Sequence, residues 1–482
     1  PATPEELDPQ AAQKRLIGVI EKLFRSQDQP VLLILEDTHW TGIESLAVLY
    51  HLDKIMHDMP LLILASYRDD EAPDLHIAFQ HMKVLKVERF NEDSIEDLAV
   101  AMLGEQGRQQ ALIALLERET EGNVFFVVEV LRALAEEAGK LTDVTTMHLP
   151  THVFTGGIDK IIQRRLGRVP AEIRPMLEIA AVGGRYLDWR ILHYLIQDEG
   201  LLEEWLTIAA NLAVIEIQDG SWRFSHEKLR EGLLNTLPQE ALPDLHQQFA
   251  EAIESVYITV NDRLASLAYH WGMAGNTEKE GIYAALAGEQ VLNSGAYDEA
   301  VSFLSRALEL MDENPDAELA KKQGNLMRLL GSAYTRLGNH IDARPIFLQS
   351  LEIFEGVDYR WGTAMALSDL GHVTYALEDY EASYRYFRKS IETAMSVRAQ
   401  KVALAGIIGI ARLMHAAGRY EWAIELVAFS LDHVAVDMQT AERAQELLKI
   451  LEPLVDVATA EAAKERGRSK RLSEVVEELL PE

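Results

Sequence analysis

Four short segments in the second half of this chain share one spacing, and that repetition limits its folds more than any other feature. They are Gly295-Ala296-Tyr297-Asp298-Glu299-Ala300, Gly338-Asn339-His340-Ile341-Asp342-Ala343, Glu378-Asp379-Tyr380-Glu381-Ala382-Ser383 and Gly418-Arg419-Tyr420-Glu421-Trp422-Ala423. The small residues at 300, 343, 383 and 423 lie 43, 40 and 40 apart. Leu330-Gly331 with Tyr334, and Leu370-Gly371 with Tyr375, precede the second and third turns. A period of this length is a pair of helices, repeated. Glycine lets the two helices turn tightly, and alanine or serine lets them pack closely. Each pair buries its apolar face only against its neighbours, so the stack grows as a solenoid with a concave surface for peptides or protein partners. The spacing predicts a helical array over residues 261–460, followed by a charged tail over 461–482.

The first half is patterned differently. Val31-Leu32-Leu33-Ile34-Leu35 runs into Glu36-Asp37 and is bounded by Pro30. A short run that is apolar at every position reads as a strand buried on both faces. Residues 43–59 read as a helix, and Leu61-Leu62-Ile63-Leu64-Ala65-Ser66 as a second strand ending in Tyr67-Arg68. Strand, helix, strand is a parallel unit. It brings Arg68 to the same sheet edge as Asp37, where ligands of open α/β folds bind. Residues 11–26 read as an amphipathic helix, and 84–87 as a short third strand. Asn91 caps a helix carrying Ile95, Leu98 and Met102, and helices follow over 109–119 and 122–137. Residues 141–157, rich in Thr, Pro and Gly, read as a linker. Helices near 158–167, 171–182, 187–196 and 200–211 lead to 213–217 and 221–224, which flank Asp219-Gly220 as a hairpin. Helices followed by a hairpin make a winged-helix pattern, with a further helix over 243–255.

Charge and composition exclude several functions. The net charge is −31, which repels phosphate backbones and gives no counterion-release affinity. The helix before the hairpin, 200–212, holds Glu203 and Glu204 and no Lys or Arg, whereas groove reading needs cationic and amide donors. Direct nucleic-acid binding is therefore not expected. Lys464, Arg466, Arg468, Lys470 and Arg471 are flanked by Glu461, Glu465, Glu474, Glu477 and Glu478 and read as a solvated helix. There is no cysteine, so disulfides and thiolate metal sites are excluded. No apolar run approaches the ~18 residues of a membrane span, and no signal peptide opens the chain. These features fit a cytoplasmic protein away from membranes.

Leu35-Glu36-Asp37-Thr38-His39-Trp40, followed by Leu61-Leu62-Ile63-Leu64-Ala65-Ser66-Tyr67-Arg68-Asp69-Asp70-Glu71, resembles the Walker B and sensor region of the STAND class of P-loop signalling ATPases, of the maltose-activator-like layout. Gly122-Asn123-Val124-Phe125-Phe126 resembles the Gly-Asn-Pro-Phe-Phe segment of that class. Phe224-Ser225-His226-Glu227-Lys228-Leu229-Arg230-Glu231 resembles its Phe-x-His-x-x-x-Arg-Glu segment. The repeats resemble tetratricopeptide repeats, with a period longer than the usual ~34 residues.

This resemblance implies a mainly α chain. A partial α/β P-loop ATPase domain would occupy residues 1–90, a helical lid 91–140, and a winged-helix domain with its following helix 158–260. Tetratricopeptide-like repeats would follow in an α-solenoid. It implies Mg²⁺ on Asp37 and Glu36, catalysis by Glu36, Asp37 and Arg68, and Arg68 sensing the terminal phosphate. It further implies ATP or ADP contacts from Asn123, Arg68 and His226, the last closing the winged helix over ADP. The chain departs from the class at Glu36, where the first acid is often Asp, at Gly42, where an acid often stands, and at Val124, where proline is common. No Gly-x-x-x-x-Gly-Lys-Ser/Thr phosphate loop occurs, so the chain is expected to be the C-terminal piece of a longer protein or one whose loop is lost. Tight nucleotide binding by this chain alone is not expected. The implied function is a nucleotide-switched ATPase of signal transduction or transcription regulation, self-associating and sensing an inducer or partner on its repeats. The alternative is a non-catalytic interaction scaffold on a degenerate ATPase platform. A transcription factor in its own right would need a DNA module that the sequence does not contain.

Overall fold

The computed structural model describes residues 9–69, 72–79, 81–138, 162–163, 166–218, 220–257, 259–312 and 316–480. Its contacts separate two compact units, Pro1–Met82 with Thr277–Glu482, and Lys83–Asn276.

The chain enters through α1 (Pro9–Arg25), β1 (Val31–Leu35), α2 (Ile43–Ile55) and β2 (Leu61–Ala65). The two strands pair in parallel, with Leu33 opposite Ile63 and Leu35 opposite Ala65. Ile20 and Phe24 of α1 and Val48, Leu52 and Ile55 of α2 pack on Leu61, Ile63 and their β1 neighbours. The expectation of strands buried on both faces is corrected. Leu32, Ile34, Leu62 and Leu64 are all more than half exposed. Side chains alternate along a strand, and both helices cover the same face, so the alternate set lies outside. Residues 84–87 do not form the expected third strand, and Leu85 and Val87 are almost fully exposed. Their β-branched and apolar composition favours a strand only where a ladder partner exists, and among the described residues this sheet pairs only β1 with β2.

The second unit begins with α3 (Glu92–Leu103), α4 (Gln110–Thr120) and α5 (Val124–Ala138). Asn91 Oδ1 accepts the Ser94 N–H at 2.9 Å and caps α3. Ile95, Leu112, Leu116, Val127 and Leu131 form the shared core. The linker expected at 141–157, and most of the helix expected at 158–167, lie outside the described residues. Then come α6 (Arg174–Gly183), α7 (Trp189–Ile196), α8 (Glu199–Asn211), β3 (Ile215–Gln218), β4 (Ser221–Phe224) and α9 (Glu227–Leu234). The hairpin is antiparallel, with Ile215 opposite Phe224. Trp205 and Phe224 fill the core beneath it, and the Trp205 indole N–H donates to the Ile173 carbonyl at 3.1 Å. The unit closes with α10 (Leu242–Val256) and α11 (Leu264–Met273).

The array runs through α12 (Thr277–Ser294), α13 (Tyr297–Glu309), α14 (Ala317–Arg336), α15 (His340–Gly356), α16 (Arg360–Ala376), α17 (Tyr380–Ser396), α18 (Gln400–Ala416), α19 (Tyr420–Asp432) and α20 (Met438–Leu451). Its turns are metrically regular. Gly338, Asp358, Glu378, Arg398 and Gly418 all have positive φ, between 49° and 78°, and recur every 20 residues. The 40-residue period is thus two equal helix-and-turn units, which is why α15, α16, α17 and α18 each contain 17 residues. Close approach sets the packing. A Cβ on Gly371 would lie 2.6 Å from the Phe387 ring, and one on Gly331 2.8 Å from Phe347. The buried Ser383 hydroxyl donates to the Gly371 carbonyl at 2.8 Å, fastening α17 to α16.

Residues 457–479 form α21 (Val457–Ser469) and α22 (Leu472–Leu479). Ala463, Val475 and Leu479 are buried against Ile407, Ile424 and Val427, so this segment closes the end of the array. Three of its five cations are ion-paired. Arg466 reaches Glu425 at 2.9 Å, Lys470 pairs with Glu425 and Glu478, and Lys464 reaches Glu461 at 2.8 Å.

Candidate functional site

The β1 and β2 register delivers Glu36, Asp37 and Arg68 to one sheet edge. Thr38 clips the strand ends together there. Its N–H and its hydroxyl both donate to the Ser66 carbonyl, at 2.8 and 2.9 Å. The Asp37 N–H lies 3.3 Å from Ser66 Oγ, and the Arg68 N–H 3.4 Å from His39 Nδ1. Asp37 has φ 54° and opens a tight turn over Thr38–Trp40. Aspartate tolerates this left-handed conformation better than most residues, and it ends strand alternation just after Glu36. The Glu36 and Arg68 side chains are exposed. Magnesium bound to phosphates takes one or two carboxylates from a protein, so these hard oxygen donors fit that ion. Among the described residues, no group of three or more His, Asp or Glu is placed to hold a metal unaided.

Asn123 and His226 lie in the second unit, on different elements. Gly122 has φ 76°, and a Cβ there would meet the Phe90 carbonyl at 2.1 Å, so only glycine fits. That turn points Asn123 into α5, where its Oδ1 accepts the Phe126 N–H at 3.4 Å. His226 Nδ1 accepts the Lys228 N–H at 3.1 Å and caps α9. Both expected site residues are therefore helix caps. They are also linked, since the Phe125 and His226 rings stack with centroids 4.0 Å apart and planes at 25°. Two segments about a hundred residues apart thus meet.

Burial pushes the His226 pKa below the ordinary value, helped by the charges of Arg185 and Lys228 and opposed by Glu227 and Glu231. The ring is neutral at pH 7. Because Nδ1 accepts a backbone N–H, the single ring proton sits on Nε2.

Sequence reasoning missed Arg185. Residues 185–187 run beside β4. Arg185 accepts the Phe224 N–H at 2.9 Å, Leu187 donates to the Trp222 carbonyl at 2.8 Å, and Tyr186 bridges Arg223. This places Arg185 next to Ser225 and His226. Arg185 Nε and Ser225 Oγ are both buried with no hydrogen-bond partner, at a cost of about 1–3 kcal/mol each. The only sequence signal was a single cation after Gly183-Gly184. The Arg230-Glu231 pair that completes the quoted motif is engaged locally, Arg230 with Glu227 and the Ala181 carbonyl, and Glu231 with Lys228.

Comparison with known proteins places the array first. The tetratricopeptide-repeat family matches residues 322–396, which fall on α14 to α17 of the helical array. A curated relative, an uncharacterised protein of Rhizobium meliloti (strain 1021), is 24% identical over 341 residues, or 65% of this chain. The chain spans 32% of that relative's length. Among solved structures, a signal transduction ATPase with numerous domains (STAND) carrying a tetratricopeptide repeat sensor, from Pyrococcus horikoshii, is 12% identical with a TM-score of 0.36. That match covers 97% of this chain and 75% of the other. No helix among the described residues is long and apolar enough to cross a membrane.

Proposed function

We propose that this chain is the switch and sensing part of a nucleotide-dependent signalling protein, in which His226 and its neighbours bind nucleotide phosphate and the repeats engage a protein or peptide partner. One observation carries the reading. Arg185 Nε and Ser225 Oγ are buried without partners beside a neutral histidine capped at Nδ1. A phosphate oxygen supplies the acceptor that all three groups lack, and charge-assisted bonds of this kind are the strong ones. In the same reading Asp37 and Glu36 ligate Mg²⁺ and Arg68 senses a terminal phosphate. ADP favours one state of the switch and ATP favours self-association, signalling or transcription control, which requires different nucleotide affinity in the two states.

A second reading, an interaction scaffold without nucleotide chemistry, is favoured by the capping roles of Asn123 and His226. Fluorescent ADP and anisotropy separate the two. Without a phosphate loop, the chain should bind ADP with a Kd weaker than about 0.1 mM. Arg185→Gln should weaken that binding about tenfold or more. Identical curves for wild type and Arg185→Gln would favour the scaffold.

A further inference from the structure

The α3–α5 bundle and the α6–α9 part of the second unit each have their own core. Ile95, Leu112, Leu116 and Leu131 belong to the first, and Leu177, Trp205, Phe224 and Leu229 to the second. The stack of Phe125 on His226 joins them. Phe125 is anchored to its own bundle. Its ring meets the buried Phe126 ring edge to face, with centroids 5.2 Å apart and planes at 73°, and it packs against the α3–α5 core. The turn before it is fixed as well. The Phe90 N–H donates to the Gly122 carbonyl at 2.8 Å, and Asn123 caps α5.

The residue type at 226 indicates what the ring adds. Asn or Asp side chains cap α3, α7, α8, α14, α17, α20 and α21, and these are among the best residues for that position. An imidazole caps α9 instead. It accepts one backbone N–H, which a carboxylate does equally well, so capping alone does not account for it. The imidazole adds a flat face and a donor at Nε2. The bond from the Lys228 N–H holds Nδ1 alone and leaves the ring free to swing about that bond. Stacking on Phe125 fixes the ring plane, and with it the direction in which Nε2 donates. Aromatic pairs prefer such defined arrangements.

We propose that Phe125 is a positioning residue for the phosphate site: it holds the His226 ring so that Nε2 donates into that site, and through the same contact it transmits occupancy of the site to the α3–α5 bundle. The inference rests on the phosphate reading of His226 and adds the residue that orients it. The coupling is reciprocal. If phosphate at Nε2 favours the stacked ring, the stack favours phosphate by the same factor. A ring freed from Phe125 spends only a fraction of its time correctly oriented, and apparent affinity falls by that fraction.

The test is ADP anisotropy on the whole chain in a double-mutant cycle of Phe125→Leu and His226→Asn, with Phe125→Tyr as the conservative variant. Phe125→Leu keeps an apolar side chain and loses the stack. It should weaken ADP binding roughly three- to tenfold, the range an aromatic pair of ordinary strength gives, and should have no further effect once His226 is Asn. Phe125→Tyr keeps the ring and should recover most of the loss. At saturating ADP, the methyl resonances of Val127 and Leu131 in α5 should shift in the wild type and stay in place in Phe125→Leu. If His226→Asn weakens ADP binding and Phe125→Leu does not, the phosphate reading stands and this inference is overturned; a lowered melting temperature would then make Phe125 a packing residue alone. Equal weakening by Phe125→Leu in both backgrounds would show that Phe125 acts apart from His226, which also overturns the inference. ADP affinity unchanged by His226→Asn would overturn the phosphate reading and the inference together.

Discussion

Replacing His226 separates its structural role from its proposed ligand role, because the two use different ring atoms. Nδ1 caps α9 by accepting the Lys228 N–H, and the ring face stacks on Phe125. His226→Ala removes both. A lost cap costs about 1 kcal/mol and a lost stack about 1 kcal/mol, so the Lys83–Asn276 unit should lose about 2 kcal/mol. His226→Asn restores the cap, since asparagine is among the best residues there, and should lose only about half as much. At about 2–4 °C per kcal/mol for a unit of this size, the two variants should melt several degrees apart. ADP affinity should behave differently. Both variants lack the Nε2 donor, and a hydrogen bond to a charged group is worth about 1.5–3 kcal/mol. Both should therefore weaken ADP binding by roughly one to two powers of ten. Calorimetric melting and ADP anisotropy on the same preparations give the two readouts. If His226→Asn binds ADP as wild type does, the ligand role is refuted and His226 is a cap alone.

Other outcomes follow from single features. Buried His246 and His270 share a 2.9 Å Nδ1–Nδ1 hydrogen bond beside the buried Phe249 ring, and burial, then His246, pushes His270 from 6.5 to about 4. A depressed histidine gives stability that is complete above pH 6.5 and lost as pH falls toward 4. The unit should therefore lose up to about 3 kcal/mol across that window, with the slope much reduced in His270→Gln. Glu378 has φ 61° where the equivalent turns carry Gly338 and Gly418, so Glu378→Gly should stabilise the array by up to about 1 kcal/mol, the relieved strain exceeding the added chain entropy. Gly371→Val should destabilise it by about 2–3 kcal/mol through overlap with Phe387, read as a lower melting temperature. The chain should show no sequence-selective shift of double-stranded DNA at physiological salt, given a net charge of −31 and an α8 without Lys or Arg.

What the sequence revealed was local or periodic. The parallel strand pair, the α3 cap at Asn91 and the hairpin after α8 each depend on a few adjacent residues. The turns at 295, 338, 378 and 418 were readable from composition, although Glu378 showed that the position matters more than the glycine. The run at 84–87 misled because strand propensity is an offer that needs a partner. The second apolar face of β1 and β2 misled because side-chain alternation says nothing about how many layers cover a sheet. Arg185 was invisible because its meaning depends on residues 185–187 lying beside β4.

The central claim is that the His226 ring faces a nucleotide phosphate. The most direct test is the ring-carbon NMR resonance of His226 in carbon-13 histidine-labelled chain, assigned with His226→Asn, during titration with ADP and then with adenosine. ADP should move that resonance progressively to saturation in wild type but much less in Arg185→Gln, and adenosine should leave it in place. A His226 resonance that stays fixed while ADP is shown to bind elsewhere on the chain would contradict the account.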